Sequence, residues 1–516
     1  MKIQSDRLYT AERVRELDRR AIEDHGIHGY DLMVRAARAA FRLLRLRWPR
    51  ARRIAVYCGG GNNGGDGLVV ARLAREAGFT VDTGLAGDPD RFKGAAGEAW
   101  RAWVDAGGTA APLEAVDPAR ADVIVDALLG TGLDRTVHGA IGAAIEAINS
   151  VAAPVLALDI PSGLQADTGS VMGFAVRAQA TITFIGHKRG LFTAAGPDCV
   201  GAVFSDDLDA PAAIYADDDP SIEVITRARV ARALPRHRPT AHKGDRGRVL
   251  VVGGDHGFAG AARLAAEAAL RAGAGLIQVA TRALHAPALA AARPELMARG
   301  IEDPASELPD LLAAADVVVA GPGLGSGDWG RAALAAIREA APERLLLDAD
   351  ALNLAAAEPG MAPIPTIVTP HPGEAGRLLG IGTDAVQADR FAALDGLVDR
   401  CGCTVVLKGA GTLVGAPRRG TALLPGARPE LGVGGTGDVL SGVIAGLLAQ
   451  GVASHDAART GVWLHAAAAM RAARGDDSEA PPLPSELAEA VAAVATDLTG
   501  RVRQVSPWDR EWPTDS

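Results

Sequence analysis

The chain has 516 residues, a formal net charge of -9 at pH 7, 48% hydrophobic residues and 22% charged residues. This length predicts about two to four domains, and the composition is that of a globular protein that buries large cores. The negative charge, without any basic tract, argues against nucleic acid as a partner, and no run of about twenty apolar residues predicts a membrane span. We therefore expect the partner to be a small molecule.

Two helical patterns and a buried strand open the chain. Apolar residues recur three and four apart over residues 10–24 and again over residues 32–46, which predicts two packing helices. Residues 53–58 then favour a buried strand, followed by a glycine-rich loop (GGGNNGGDG, residues 59–67) and a helix over about residues 68–77. This order of strand, glycine loop and helix is typical of a nucleotide-binding α/β domain.

The glycine-rich loop leaves two interpretations open. Its first six residues match GxGxxG, and Asp82 lies near the distance at which a dinucleotide-binding domain places its ribose-binding acid. That fingerprint does not call for Asn62, Asn63 and Asp66, however, and a carboxylate at Asp66 would repel a pyrophosphate bound on the same turn. The loop is therefore predicted to bind more than a phosphate group.

The next predicted strands also end in polar residues. Strands over residues 123–127 and 155–158 carry Asp126 near the end of the first, and Asp159 and Ser162 after the second. Because parallel strands place their carboxyl ends at one edge of a sheet, these residues should meet Asn63, as oxygen ligands for a cation and as carboxylates for proton transfer. A further strand over residues 179–185 leads to Lys188, which is either a cation of the site or an ordinary solvated lysine.

Four motifs of this half resemble the NAD(P)H-hydrate epimerase family, also called the YjeF N-terminal domain. They are GGGNNGGDG, DALLGTGL, DIPSGL and HKRGL, and the resemblance covers about residues 1–212. It implies that Asp159 is catalytic and that a potassium ion binds at Asn63, Asp126 and Ser162. It implies nucleotide contacts at Asn62, Asn63, Gly64, Gly65, Asp66, Gly130, Thr131, Gly132, Leu133, Asp134, Arg135, Thr136 and Asp159.

Residues 206–238 are acidic, interrupted by proline and then basic, which marks a domain boundary. We place the first domain at residues 1–215 and the second at residues 225–508. The second half continues with a predicted strand over 248–252, a helix over 259–271, and strands over 276–280, 317–320 and 344–347. The fold class is therefore α/β in both halves.

The stretch GVGGTGDVLSG, residues 432–442, runs from a glycine-rich turn straight into an apolar helical pattern. Glycines let a backbone approach a ligand closely, and the first N–H groups of a helix attract anions, so this stretch predicts a phosphate site. Asp438 would take a proton from a substrate hydroxyl at the rim of that site. The alternative is a plain turn with an acidic helix cap. A P-loop is excluded because GxxxxGK[ST] does not occur.

This stretch, together with DADALN, TPHPGE and KGAGT, resembles the ribokinase-like ADP/ATP-dependent NAD(P)H-hydrate dehydratase family over about residues 224–505. The resemblance implies contacts to the hydrated nicotinamide at Ala261, Gly323, His371 and Asp438. It implies nucleotide contacts at Lys408, Gly409, Ala410, Gly411, Thr412 and Gly437. His371 has an alternative as a turn residue, Asp350 and Asn353 have one as helix caps, and His465 is expected to be structural.

Together the two resemblances imply a Rossmann-like three-layer domain followed by a ribokinase-like domain, and a two-part repair reaction. The first half would interconvert the R and S epimers of NADH or NADPH hydrate, with potassium as its cofactor. The second would phosphorylate the C6 hydroxyl of the S epimer with ADP or ATP and magnesium, after which phosphate leaves. A vitamin or sugar kinase, a binding role for the first half, and a dehydrogenase remain alternatives.

The cysteines and the first residues bear on location. Cys58, Cys199, Cys401 and Cys403 have neither the pattern of a disulfide framework nor the CxxC spacing of a zinc site. Residues 1–9 are polar and charged, without the apolar region of a signal peptide. We expect a cytoplasmic homo-oligomer that acts on small molecules and binds neither nucleic acid nor membrane.

Overall fold

The structure is a computed structural model that describes residues 7–216, 222–474 and 481–499. The centre of the predicted linker, residues 217–220, and the predicted end of the second domain at residue 508 lie outside the described residues. The boundaries at 215, 225 and 508 stay predictions. Within the described residues, none of the helices combines the length and the apolar character that a membrane crossing requires.

In chain order the strands are β1 Arg7–Leu8, β2 Arg53–Cys58, β3 Thr80–Leu85, β4 Ala111–Pro112, β5 Val123–Ala127, β6 Val155–Leu158, β7 Ala180–Phe184, β8 Ala202–Asp206, β9 Ile222–Val224, β10 Arg248–Val252, β11 Leu276–Thr281, β12 Met297–Gly300, β13 Val317–Ala320, β14 Leu345–Leu347, β15 Ile367–Val368, β16 Thr404–Leu407, β17 Thr412–Ala416 and β18 Arg419–Leu424. The α-helices are α1 Ala11–Arg19, α2 Gly29–Arg47, α3 Asn62–Glu76, α4 Gly94–Asp105, α5 Gly139–Asn149, α6 Gly196–Val200, α7 Arg227–Ala233, α8 Ala259–Arg271, α9 Ala286–Ala292, α10 Pro304–Glu307, α11 Pro309–Ala313, α12 Asp328–Ala340, α13 Ala349–Ala357, α14 Pro372–Leu379, α15 Thr383–Ala388, α16 Arg390–Cys401, α17 Thr436–Ala449, α18 Ser454–Arg474 and α19 Pro484–Thr499.

In the described part of the first domain, seven strands form a parallel sheet in the order β4-β3-β2-β5-β6-β7-β8. Helices α1 to α4 pack on one face of this sheet and α5 on the other, so the domain has three layers. All five residues of β5 are buried, as expected for a strand covered on both faces. The strand order reverses between β2 and β5, which is where such sheets bind ligands.

The second sheet has eleven strands among the described residues, in the order β1-β9-β18-β17-β16-β15-β14-β13-β10-β11-β12. Neighbours from β12 to β16 run parallel, while β17 is antiparallel to both β16 and β18. Helices α8, α17, α18 and α19 cover one face, and α12, α13, α14 and α16 cover the other.

Close packing of α17 on α8 sets the position of Asp438. An added Cβ atom on Gly442 would lie 2.0 Å from the carbonyl oxygen of Ala265, and one on Gly446 would lie 2.6 Å from that of Ala269. Only glycine allows the two helices to come this close.

The N-terminal strand β1 crosses from one domain to the other. It pairs antiparallel with β9 in the second sheet, where Leu8 packs into the core of the second domain. The next residue, Tyr9, packs into the core of the first domain, and its N–H donates to the carbonyl of His187 at 2.8 Å. The segment of β1 and Tyr9 therefore contacts the cores of both domains and connects them in addition to the linker.

The structure agrees with the predicted strands at 53–58, 123–127, 155–158, 248–252 and 317–320. The prediction that α3 begins near residue 68 is wrong, because the helix begins at Asn62 and includes most of the glycine-rich loop. The glycines are needed inside this helix for packing. A Cβ atom on Gly64 would lie 1.8 Å from the carbonyl oxygen of Gly59, and one on Gly67 would lie 2.6 Å from the Cβ of Ala127.

Two candidate active sites

A cavity of about 550 Å³ lies at the carboxyl ends of the first sheet. Many of the residues predicted for the first site line it, namely Asn62, Asn63, Asp66, Gly130, Thr131, Gly132, Leu133, Asp134, Arg135 and Asp159. Gly64, Gly65 and Thr136 are not among its lining residues. Asp82, the candidate ribose-binding acid, is also absent from the lining, and its carboxylate lies 3.9 Å from the guanidinium of Arg53.

Asp159 follows β6 in a left-handed backbone conformation, with φ 66°. A non-glycine residue in this region carries strain of about 1 kcal/mol or more, which the surrounding structure must hold in place. The ammonium group of Lys188 contacts the Asp159 carboxylate and donates to Thr183 Oγ1 at 2.9 Å and to the Phe184 carbonyl at 3.1 Å. Lys188 is only 1% exposed, so it is a buried member of the site and not a solvated lysine.

Two further carboxyl groups line the same cavity. Burial raises the pKa of Asp18 to about 7, with the Asp159 carboxylate adding to the rise and Lys188 opposing it. Burial likewise raises the pKa of Asp66 well above its usual range, helped by Asp159 and Asp18. Asp18 was missed by the sequence analysis. The one available signal was an acid on the buried side of α1, between Leu17 and Ala21.

Behind the cavity, Asp126 and Ser162 are fully buried and bonded to each other. The Asp126 carboxylate accepts from Ser162 Oγ at 2.5 Å, from Ser162 N at 2.8 Å and from Leu128 N at 3.2 Å. Asn63 donates through Nδ2 to the Leu129 carbonyl at 2.9 Å, and that carbonyl also accepts from Ser162 Oγ at 3.2 Å. Asn63 Oδ1 is buried and has no hydrogen-bond partner among the described residues.

The second candidate site lies where α17 begins. Gly435 has φ 98° and precedes the helix, which puts Asp438 in its first turn as predicted. Lys408 Nζ donates to Asp348 Oδ1 at 2.8 Å, and Ser441 Oγ donates to Asp348 Oδ2 at 2.7 Å. A Cβ atom on Gly437 would lie 3.3 Å from Lys408 Nζ, so these two predicted nucleotide contacts are neighbours.

The electrostatics of this site centre on Asp438. Burial raises its pKa to about 7, and the carboxylates of Asp348, Asp350 and Glu374 add to the rise, while Lys408 opposes it. The pKa of Lys408 is itself raised, since Asp348 and Glu374 outweigh the opposing effect of burial. A carboxyl group that titrates near neutral pH is suited to general base catalysis.

His371 caps helix α14. Its Nδ1 accepts from Gly373 N at 2.9 Å, and its backbone N–H donates to the Glu374 carboxylate at 2.8 Å. Burial, Lys408 and Arg377 lower the pKa of His371, so the ring is neutral at physiological pH. The ring therefore has a structural task, and its contact with substrate stays a prediction.

Ala261 and Gly323 lie side by side, since a Cβ atom on Gly323 would lie 3.2 Å from that of Ala261. The Asp350 carboxylate accepts from Gly325 N at 2.9 Å. This hydrogen bond connects the turn that contains Gly323 and Gly325 to the acidic residues around Asp438. Asn353 accepts from Arg377 Nε at 2.8 Å. Neither Asp350 nor Asn353 caps helix α13, because its N-cap residue is Asp348.

His465 is buried on α18, and burial lowers its pKa to about 4.

The predicted nucleotide loop, Lys408, Gly409, Ala410, Gly411 and Thr412, connects β16 to β17. Gly409 has φ 129° and Gly411 has φ 65°. Residues other than glycine rarely adopt these backbone conformations. Thr412 Oγ1 donates to the Gly409 carbonyl at 3.0 Å and closes the turn. The loop also contacts the first domain, because Ala194 N donates to the Ala410 carbonyl at 3.2 Å.

Two family models match the chain, one in each domain. Residues 29–190 match the model described as YjeF-related protein N-terminus, and residues 249–490 match the model described as NAD(P)H-hydrate dehydratase. A solved ribokinase-like superfamily protein from Enterococcus faecalis is 26% identical, with a TM-score of 0.50, over 55% of this chain and 98% of its own. The fold and these matches define a two-domain α/β enzyme whose second domain is ribokinase-like.

Whole-chain relatives extend this assignment. A Coxiella burnetii protein named bifunctional NAD(P)H-hydrate repair enzyme is 46% identical over 90% of this chain and 95% of its own length. An Escherichia coli protein of the same name is 44% identical over 90% of this chain and 89% of its own. The chain belongs to the family of bifunctional NAD(P)H-hydrate repair enzymes. The predictions of an epimerase domain followed by a dehydratase domain are thereby confirmed.

Proposed function

We propose that the cavity of the first domain interconverts R and S NAD(P)H hydrate through Asp159, and that the second site returns the S epimer to NAD(P)H through Asp438. The observation that carries the proposal is the position of Asp438. It stands in the first turn of a glycine-led helix, beside Lys408, with a pKa of about 7. A carboxylate that acts as a base at this position would lie next to donors suited to phosphoryl oxygens, which supports the proposal.

In the second site, Asp438 removes the proton of the C6 hydroxyl as that oxygen attacks the terminal phosphorus of ADP or ATP. The bond between this phosphorus and the bridging oxygen breaks, and the remaining nucleotide leaves. Lys408 and the first N–H groups of α17 stabilise the charge on the phosphoryl oxygens. The C6–O bond then breaks with loss of phosphate, a proton leaves C5, and the C5–C6 double bond is restored.

Magnesium, when bound with the nucleotide, would neutralise charge on the phosphoryl oxygens. The carboxylates of Asp348, Asp350 and Glu374 around Asp438 are hard oxygen donors of the kind this ion takes. Among the described residues, no group of three or more His, Cys, Asp and Glu side chains could hold a metal ion by itself. The nucleotide phosphates would therefore supply most of the ligands of magnesium.

In the first site, Asp159 is held by its strained backbone and by Lys188, facing the cavity in which the nicotinamide ring would lie. Asp18 and Asp66, whose pKa values are raised, are the groups able to supply protons there. Gly130, Thr131, Gly132, Leu133, Asp134 and Arg135 form a lining segment suited to the rest of the nucleotide.

Potassium would fit between Asn63, Asp126 and Ser162. The buried Asn63 Oδ1 lacks a partner among the described residues and is the observation in favour of an ion. One carboxylate with two neutral oxygens gives a low ligand charge, which favours a large, weakly hydrated monovalent ion over magnesium. The ion, when bound, would fix the loops that carry these residues. The cytoplasmic location and the homo-oligomeric state stay predictions from the sequence.

The proposal is tested by incubating the full chain with NADH hydrate, with and without ADP. We expect the absorbance of the reduced nicotinamide to return only with ADP, in step with the release of free phosphate. A stable phosphorylated product without free phosphate would point to a kinase and contradict the proposal.

A further inference from the structure

Arg390 is a buried cation that the mechanism above does not use. It begins helix α16, it is fully buried, and burial lowers its pKa to about 10. Among the described residues it forms no ion pair with a carboxylate, and its donors bind neutral oxygens instead. Burying a charge without a counter-ion costs free energy. We therefore expect the buried guanidinium of Arg390 to have a specific role in the structure.

The guanidinium lies directly behind the predicted nucleotide loop. Its Nη2 donates to the carbonyls of Leu407 at 3.2 Å, Lys408 at 3.1 Å and Gly411 at 3.4 Å. A Cβ atom on Gly409 would lie 2.9 Å from Nη1. The Lys408 carbonyl and the Gly409 N–H belong to one planar peptide and point in opposite directions. Because Arg390 binds this carbonyl, the Gly409 N–H points away from Arg390. The guanidinium thereby orients the loop and adds positive charge behind it.

The partner of Arg390 on the other side is Thr193, a residue of the first domain. Arg390 Nε donates to Thr193 Oγ1 at 3.1 Å, and this hydroxyl is 3.0 Å from the Ala410 carbonyl, to which it donates. Thr193 is fully buried. The Gly426 N–H donates to the carbonyl of Phe192 at 3.0 Å, and the Gly411 N–H of the loop donates to the Gly426 carbonyl at 2.8 Å. The backbone of the first domain is therefore linked to the loop through Gly426 as well.

We propose that Arg390 is a positioning residue of the nucleotide site and that Thr193 completes it from the first domain. The site that uses ADP or ATP is then fully formed only in the two-domain chain. This inference rests on the proposed nucleotide role of the loop at residues 408–412. A nucleoside diphosphate or triphosphate is the ligand class concerned.

The test is the dehydration of S NADH hydrate by the full chain at varied ADP concentration. Thr193→Val keeps the side-chain shape and removes the hydroxyl, which leaves a buried guanidinium donor unpaired. We expect the KM for ADP to rise about ten-fold, since an unpaired buried donor weakens the arrangement it holds, while kcat changes much less. Thr193→Ser should restore the KM. Arg390→Lys keeps the charge but loses the planar fork, and should raise the KM as well.

The matched control is Thr181→Val in β7 of the same domain. Thr181 is equally buried, and its hydroxyl donates to the Val200 carbonyl at 2.8 Å, away from the loop. Its KM for ADP should equal that of the unmodified chain. An unchanged KM in both Thr193→Val and Arg390→Lys, or an equal rise in Thr181→Val, would overturn the inference. If Lys408→Met also leaves the KM unchanged, the nucleotide role of the loop itself is wrong, which separates the two failures.

Discussion

Both domains place a lysine against an aspartate that follows a parallel strand, but the two pairs differ in their relation to the proposed catalytic carboxylate. In the first domain Lys188 contacts Asp159 itself. In the second, Lys408 contacts Asp348, which also accepts from Ser441, while Asp438 stands nearby among other acids.

The difference shows how a lysine and an aspartate in similar positions can be used to give the proposed catalytic carboxylates different electrostatic environments. Asp159 is fixed by a cation and by its backbone, and the groups with raised pKa values are its neighbours Asp18 and Asp66. Asp438 has lost most contact with water and faces Asp348, so its own pKa is raised to about 7. We infer that the first site divides proton transfer among several acids, whereas the second concentrates it on one.

The largest effect is expected from Asp438→Asn, which removes the base and keeps the backbone N–H groups of α17. Dehydration should fall by about 100- to 10,000-fold, the range of general base catalysis, while ADP binding measured by calorimetry stays close to normal. Asp384→Asn, in the first turn of α15, is the matched control and should be fully active. Near-normal turnover of Asp438→Asn would remove this residue from the mechanism.

Replacing Lys188 or Lys408 by methionine should affect different reactions, and this distinguishes the Lys188–Asp159 pair from the Lys408–Asp348 pair. Lys188→Met should slow R-to-S conversion about ten- to a hundred-fold, because a charged hydrogen bond to Asp159 is lost, with little change in the use of ADP. Lys408→Met should instead raise the KM for ADP. Chromatography of the epimers measures the first reaction and absorbance of the reduced ring the second. Identical profiles for the two variants would show that the comparison is wrong.

The pH dependence should also differ. Because Asp438 must be ionised to accept a proton and its pKa is about 7, dehydration should speed up roughly ten-fold from about pH 6 to about pH 8. Asp348→Asn removes a negative neighbour, so it should lower this pKa and move the rise towards lower pH. The profile is measured at saturating ADP and hydrate. A rate that is flat or falls over this range would contradict the assignment of Asp438 as base.

The smallest effect is expected from the cation. Replacing potassium by tetramethylammonium should slow epimerisation several-fold, since the ion would fix the loops of Asn63 and Ser162. Dehydration should be much less affected. Asp126→Ala should reproduce the loss, and ADP is omitted in these assays so that the second site is silent. If Asp126→Ala epimerises at the normal rate, the cation site must be withdrawn.

Much of the scaffold could be predicted from local pattern. Apolar runs between glycine and acidic turns marked β5 and β6 with their observed ends, and the residues after them reached one sheet edge as expected. Asp438 was predicted in a first helical turn because glycines precede an apolar periodic stretch. These features depend on residues that are close in the sequence, and a local sequence pattern can therefore predict them.

Contacts between distant segments could not be predicted in this way. Asp18 reaches the first cavity only because α1 packs across the sheet edge, and the strand β1 is two residues long and is defined by its pairing with β9. The contact of Arg390 with Thr193 joins residues 197 positions apart. The early start of α3 was also missed, since glycine disfavours helices locally and is required there by close packing.

The most direct test of two cooperating sites uses a mixture of R and S NADH hydrate with excess ADP. The unmodified chain should restore the reduced-nicotinamide absorbance of both epimers. Asp159→Asn should restore the S fraction at the normal rate and then slow to the rate of uncatalysed epimer exchange, and addition of Asp438→Asn protein should restore the remainder. Complete recovery by Asp159→Asn alone at the normal rate, or no rescue by the second variant, would contradict the account.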